Sequence, residues 1–312
     1  MKVIFMGTPD FAVGTLEALI QAGHEILLVV TQPDKPKGRG KSMQFPPVKE
    51  AALSHDISVY QPRRVRKPEC VDYLRKYQAD IIVVVAFGQI LPCEILAMPK
   101  YGCVNVHASL LPKYRGAAPI QWAVINGERV TGVTTMRMDE GLDTGDMIMK
   151  EEVELVPEET GGSLFDRLAQ TGAELCVRTL EAIQDGTAVY IPQDHEAATH
   201  TTMIKKELGE MDWSRPAKEL ECLIRGLNPW PSAYTHLNGK TLKIWKAIVV
   251  AQEMEKQEPG VVTAVEKDRI VVQTGDGQLA LLEVQMEGKK RMATDAFLRG
   301  FSVDVGTKLG HI

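Results

Sequence analysis

Asn105 and His107 sit two apart in the stretch Gly-Cys-Val-Asn-Val-His-Ala (102–108), where apolar and polar residues alternate as they do along a β-strand. With a period of two, Val104 and Val106 share one face, and the amide and the imidazole emerge together from the other. Asn offers N–H donors, and His offers a donor or a proton exchanger near neutral pH. Aimed at one carbonyl, the pair makes an oxyanion hole with a titratable member, a device worth about 3–4 kcal/mol per donor. Such a His needs a partner to hold its ring, usually a carboxylate. Asp143 is the first candidate, because Gly141 and Gly145 flank it and allow the bends that bring a loop side chain against another element. Asp139 and Asp146 compete for that role. The same Asn-x-His pair also suits a hydrogen-bonded strand edge without chemistry.

The elements that must position these residues read as an α/β frame. Residues 2–7 and 25–31 are buried strands, separated by an amphipathic helix over 9–22 that Gly23 ends, so the chain opens with a parallel strand–helix–strand unit. Helices over 47–55 and 67–77 flank a short strand near Val59. The most apolar strand, 80–87, belongs at the centre. Strands over 131–138 and 149–155 follow, and then a long helix over 163–184 that covers one face of the sheet. Ser-Leu-Leu-Pro (109–112) puts the Asn105/His107 pair at the carboxyl end of its strand, where open α/β sheets place ligands. The turn after the first strand, Gly7-Thr8-Pro9, lacks Gly-x-Gly-x-x-Gly, which argues against a dinucleotide oxidoreductase.

From residue 193 the character changes. Residues 193–207 are polar and turn-rich and read as a linker between a catalytic domain, 1–192, and a second domain, 208–312. The second domain opens with a helix over 215–227 that stops at Asn-Pro-Trp-Pro (228–231). Five short alternating stretches follow: 233–237, 242–250, 260–266, 269–274 and 279–285. With hairpin signals at Asn238-Gly239 and 275–277, they predict a small antiparallel β-barrel of the oligonucleotide-binding kind. A helical stretch, 294–300, closes the chain.

Composition sets limits on function. Hydrophobic content of 44% and charged content of 25% are those of a globular protein, and no apolar run reaches membrane-spanning length. Five scattered cysteines without Cys-x-x-Cys argue against disulfides and zinc, and the opening residues pass directly into a strand pattern. The prediction is a cytoplasmic, metal-free protein, monomeric by default. Net charge is −5; residues 200–312 carry 16 Lys and Arg against 15 Asp and Glu, which leaves −6 on the remainder. Any nucleic acid must therefore meet local patches. The polar loop 32–47 supplies Lys35, Lys37, Arg39 and Lys41, and the later chain supplies Lys205, Lys206 and the run Lys289, Lys290, Arg291. A solvated surface explains the loop equally well and each of the later cations better, among which 289–291 is the best patch.

The run Asn-Val-His-Ala-Ser-Leu-Leu-Pro-Lys-Tyr-Arg-Gly-Ala-Ala-Pro-Ile-Gln-Trp (105–122), with Gly-Leu-Asp-Thr-Gly-Asp (141–146) downstream, resembles the signature of the folate-dependent formyltransferases. Phe-Met-Gly-Thr-Pro-Asp-Phe-Ala (5–12), Thr-Gln-Pro-Asp-Lys-Pro-Lys-Gly-Arg-Gly-Lys (31–41) and Leu-Asn-Pro-Trp-Pro (227–231) resemble the members that act on methionyl-tRNA, in order and over nearly the whole chain. The resemblance implies a Rossmann-like, mostly parallel sheet domain of the formyltransferase fold. It also implies 10-formyltetrahydrofolate as formyl donor and methionyl initiator tRNA as acceptor. On the same resemblance the loop Phe87, Gly88, Gln89, Ile90 and Leu91, with Ser109, Leu110, Leu111 and Pro112, lines the pterin pocket. The arm around Arg39 grips the acceptor stem. Asn105, His107 and Asp143 are then catalytic. Cys103, on the face of Asn105 but with no base adjoining it, is a packing residue.

Overall fold

The computed structural model describes residues 1–37, 42–251 and 257–310. They divide into two compact units: 1–116, 130–154 and 165–201 in the first, and 117–129, 155–164 and 202 onward in the second.

The first unit is built on seven strands: β1 (Lys2–Gly7), β2 (Glu25–Val30), β3 (Val59–Tyr60), β4 (Ile81–Val85), β5 (Cys103–His107), β6 (Val130–Arg137) and β7 (Met147–Glu154). Their order across the sheet is β7-β6-β5-β4-β1-β2-β3. The five strands from β3 to β5 pair in parallel, and β6 and β7 are antiparallel additions at one edge. Every residue of β4 is buried, as expected for a strand covered on both faces. The helix α1 (Asp10–Gln21) buries Phe11, Leu16 and Leu19. The helix α2 (Pro47–Ser54) packs against it, and α3 (Pro68–Arg75) buries Val71 and Leu74. The chain leaves β1 toward β2 on one side and later returns to β4 on the other. The carboxyl ends of β1 and β4 therefore form a topological switch point, the place where such sheets hold ligands.

The two faces of β5 have different fates. Val104 and Val106 point to the face covered by the long helix α4 (Gly161–Asp185), where Gly172 lies so close to Val106 that a Cβ would meet its Cγ1 at 3.0 Å. The other face carries Cys103, Asn105 and His107; Cys103 packs against the short helix Cys93–Leu96, and the loop between β6 and β7 brings Asp143 against His107. The loop 32–47, expected to lack structure, contains a short hairpin in which Lys35–Lys37 pairs antiparallel with Ser42–Gln44. Its Pro, Lys and Gly content concealed a period of two that only three residues on each side express.

The second unit is an antiparallel sheet ordered β8-β9-β12-β11-β10, from β8 (Ala233–Leu237), β9 (Lys240–Val250), β10 (Val262–Val265), β11 (Ile270–Gln273) and β12 (Gln278–Met286). Register shifts near Lys246 mark bulges in β9, which let one long strand bend while it serves neighbours on both sides. The helix α5 (Ala217–Gly226) and the inward residues of the sheet close a core around Leu220, Leu223, Leu242, Ile270, Leu281 and Phe297.

Candidate active site

His107 is 6% exposed and both of its ring nitrogens face oxygen. Nε2 lies 2.9 Å from the Tyr114 carbonyl, which only accepts, so Nε2 carries the proton of that contact. Nδ1 is turned to Oδ2 of Asp143 at 3.7 Å, an ion-pair distance rather than a hydrogen bond. Asp143 is thus the carboxylate that faces the ring. Asp139 is occupied inside its own loop, where its Oδ1 accepts from the Gly141 N–H and from the Thr144 hydroxyl. The Asp143 carboxylate is held independently of the ring, because the Gly116 N–H donates to Oδ2 at 2.8 Å. Asp143 itself has φ +54°, a left-handed backbone that turns its side chain back over the sheet.

Asn105 stands differently. It is half-buried, and among the described residues no group hydrogen-bonds its side-chain amide. A half-buried amide with unspent donors beside a buried His–Asp pair is the open valence of this site. Unlike the Asn105 amide, the His107 ring is already held, by the Tyr114 carbonyl. That carbonyl belongs to a turn brought back under the strand, a contact that alternation within 102–108 does not reveal. Cys103 is buried with its thiol pushed up to about 12 by desolvation, and its Sγ lies 3.6 Å from the Ile95 carbonyl. It is a packing group, as expected.

The two loops expected to hold a folate ring follow the neighbouring strands β4 and β5. Phe87 is 1% exposed, and its carbonyl accepts from the Thr8 hydroxyl and the Gln32 amide, which joins the ends of β1, β2 and β4. Gln89 reaches across to the Val65 N–H and the Pro62 carbonyl. Leu91 is buried, whereas Ile90 is 80% exposed. Gly88, with φ +76°, separates Phe87 from Gln89 by backbone alone. In the second loop Ser109 and Leu111 are buried, the Ser109 hydroxyl donates to the Lys113 carbonyl, and Leu111 packs with Met136 and Met147. Phe87, Leu91, Ser109 and Leu111 therefore shape the loops from beneath. Gly88, Gln89, Ile90, Leu110 and Pro112 remain nearer the surface.

Two residues were missed. Arg115 lies in a turn within the 105–122 run and Gln193 opens the stretch that reads as a linker, yet Arg115 is 3% and Gln193 5% exposed. The Gln193 Oε1 accepts from the Arg115 guanidinium. Residues 193–201 are bonded into the first unit, where His200–Thr201 pairs in parallel with Arg115–Gly116. Gly116 has φ +102°, and a Cβ there would meet the Thr201 carbonyl oxygen at 2.6 Å. Gly116→Ala is expected to cost about 1–3 kcal/mol of stability, which denaturant unfolding measures. It should also weaken the N–H contact to Asp143.

Of the cations expected to meet nucleic acid, Arg39, Lys41 and the side chain of Lys37 lie outside the described residues. Lys35 donates to the Gln32 side chain. Lys205 and Lys206 are exposed. Arg291 is already committed, forked onto Glu283 and stacked 4.6 Å over the Trp245 ring. Lys289 and Lys290 are exposed, without an ion-pair partner among the described residues. Among the described residues no group of three or more His, Cys, Asp or Glu could hold a metal ion, and no helix is long and apolar enough to cross a membrane.

Residues 1–180 match the sequence family described as Formyl transferase, and residues 203–302 match the one described as Formyl transferase, C-terminal domain. The chain belongs to the formyl transferase family. Among relatives in this family, a Methionyl-tRNA formyltransferase of Agathobacter rectalis is 67% identical over 98% of this chain and 99% of its own length. One of Clostridioides difficile is 52% identical over 99% of this chain and the whole of its own. Among solved structures, a sugar 3N-formyl transferase crystallised with dTDP and 5-N-formyl-THF superposes with a TM-score of 0.67 at 18% identity. It covers 93% of this chain and 99% of that one, and it shows the shared fold.

Proposed function

We infer that this chain transfers the formyl group of 10-formyltetrahydrofolate to the α-amino group of methionyl initiator tRNA, giving N-formylmethionyl-tRNA for translation initiation. The observation that carries this reading is full-length identity of 67% to a relative named Methionyl-tRNA formyltransferase. The site agrees with it chemically. As the amine attacks the formyl carbon, negative charge grows on the formyl oxygen, and the unbonded Asn105 amide is the donor placed to meet it. His107 lies beside it on the same face, and Asp143, which faces the ring, takes a proton from the methionyl ammonium, directly or through water, so that the free amine attacks. The tetrahedral intermediate then collapses with the bond between the formyl carbon and the folate N10 broken, and tetrahydrofolate leaves with the second proton of the nitrogen. The bound donor supplies an already activated formyl group, so no covalent link to the protein is needed. Gly88, Gln89, Ile90, Leu110 and Pro112 are the surface at the switch point that suits a flat heteroaromatic ring.

The basic arm around Arg39 and the exposed lysines of the second unit hold the tRNA through phosphates. Lys289→Ala with Lys290→Ala is expected to lower the slope of log affinity against log salt by about 1.5, with binding of the formyl donor unchanged. The protein acts in the cytoplasm, as a monomer.

Transfer of labelled formyl from 10-formyltetrahydrofolate to methionyl initiator tRNA, methionyl elongator tRNA and no acceptor tests the whole reading. Labelling of the initiator alone is expected. Formate release without labelled tRNA would replace it with hydrolysis, and label on a small amine instead of tRNA would replace the acceptor.

A further inference from the structure

Arg115 is a buried guanidinium, and among the described residues no carboxylate pairs with it. Burying a cation this way is costly, so the contacts it makes instead decide its use. Its Nε and Nη2 donate to Oε1 of Gln193 at 3.0 and 2.7 Å, and its Nη1 lies 3.3 Å from Nδ1 of His195. With Oε1 set by two N–H groups, the Gln193 amide nitrogen has one orientation left. It donates to the backbone carbonyls of Asp143 at 2.9 Å and Gly145 at 2.7 Å. Those carbonyls bracket the turn in which Asp143 has φ +54°, and such a backbone persists in a non-glycine residue only where the surroundings over-determine it. The neighbour of Arg115, Gly116, donates to the carboxylate of the same aspartate.

We propose that Arg115 and Gln193 are positioning residues for the formyl-transfer reaction. The buried guanidinium sets the Gln193 amide, the amide pins the turn from Asp143 to Gly145, and the turn aims the Asp143 carboxylate at His107. Neither residue touches the reacting atoms. The proposal rests on the formyl-transfer reading above.

Gln193→Glu separates this role from simple anchoring of residues 193–201. The glutamate keeps an acceptor for Arg115 and adds an ion pair, but it removes both N–H donors to the turn. Anchoring survives the change and positioning does not. The expected result is a protein that unfolds no earlier than wild type, with kcat for formyl transfer lowered on the order of 10²-fold and KM for both substrates little changed. The ¹⁵N ring signals of His107, assigned by their loss in His107→Ala, are expected to leave their wild-type positions for those of Asp143→Asn. Wild-type kcat with unmoved ring signals overturns the proposal, and so does activity lost only in proportion to folded protein. If wild type transfers no formyl group, the functional reading fails alone and the ring signals still decide the relay. If Q193E does not fold, Gln193→Met removes the same donors without adding charge, and unmoved His107 signals in that folded variant overturn the proposal.

Discussion

Asn105→Ala is expected to lower kcat for formyl transfer by about 10²–10³-fold, with little change in the affinity for tRNA or folate. The size follows from the isolation of this amide. Among the described residues no group competes for its donors, so no such bond must be broken before they meet a developing charge. A donor that strengthens only as charge grows acts on the transition state, and its loss appears in kcat rather than in KM. Asn105→Asp keeps the shape and replaces donors with acceptors, so it is expected to be at least as poor as the alanine variant. Single-turnover transfer at saturating substrates, with tRNA affinity measured separately, checks both. A rise in KM at constant kcat would move Asn105 from chemistry to binding.

The second large effect belongs to the His107–Asp143 pair. Asp143→Asn preserves an oxygen for the Gly116 N–H but removes the charge that faces Nδ1, and a loss on the order of 10²–10³-fold in kcat is expected. His107→Ala should cost a similar factor. If the carboxylate works through the ring, the double variant is expected to be little worse than the more damaged single one, because groups that act as a unit are not additive. Losses that multiply would show that Asp143 takes the ammonium proton without the imidazole. The three variants compared at one pH, with folded content checked by circular dichroism, give the coupling directly.

Much of the frame was legible because its signals are local. Continuous apolar runs marked β1, β2 and β4, and the alternation through 103–107 put Asn105 and His107 on one face, as observed. The glycine-flanked loop suggested Asp143, and Asp143 is the carboxylate that meets the ring. What failed were readings that depend on distant partners. Nothing local shows that Arg115 is buried, because its partner Gln193 lies 78 positions away. Residues 193–201 look like a spacer because their polarity is spent on the Tyr114–Gly116 backbone rather than on water. The Lys-Lys-Arg run at 289–291 hides that its arginine is held by Glu283 and Trp245, a pairing set by strand register rather than by sequence proximity.

The bonding of 193–201 to the turn at 114–116 has a temporal side. Tyr114 N–H donates to the Thr199 hydroxyl, and the Thr201 hydroxyl donates to the Arg115 carbonyl, across 85 and 86 positions of chain. During synthesis the strand that bears Asn105 and His107 emerges long before the segment that completes its floor. Contacts of such separation form late, since loop closure must precede their reward. A nascent chain cut at residue 192 would carry Asn105, His107 and Asp143 and lack the strip bonded to the turn at 114–116, so that turn is completed only about nine residues later, well after the last strand of the sheet.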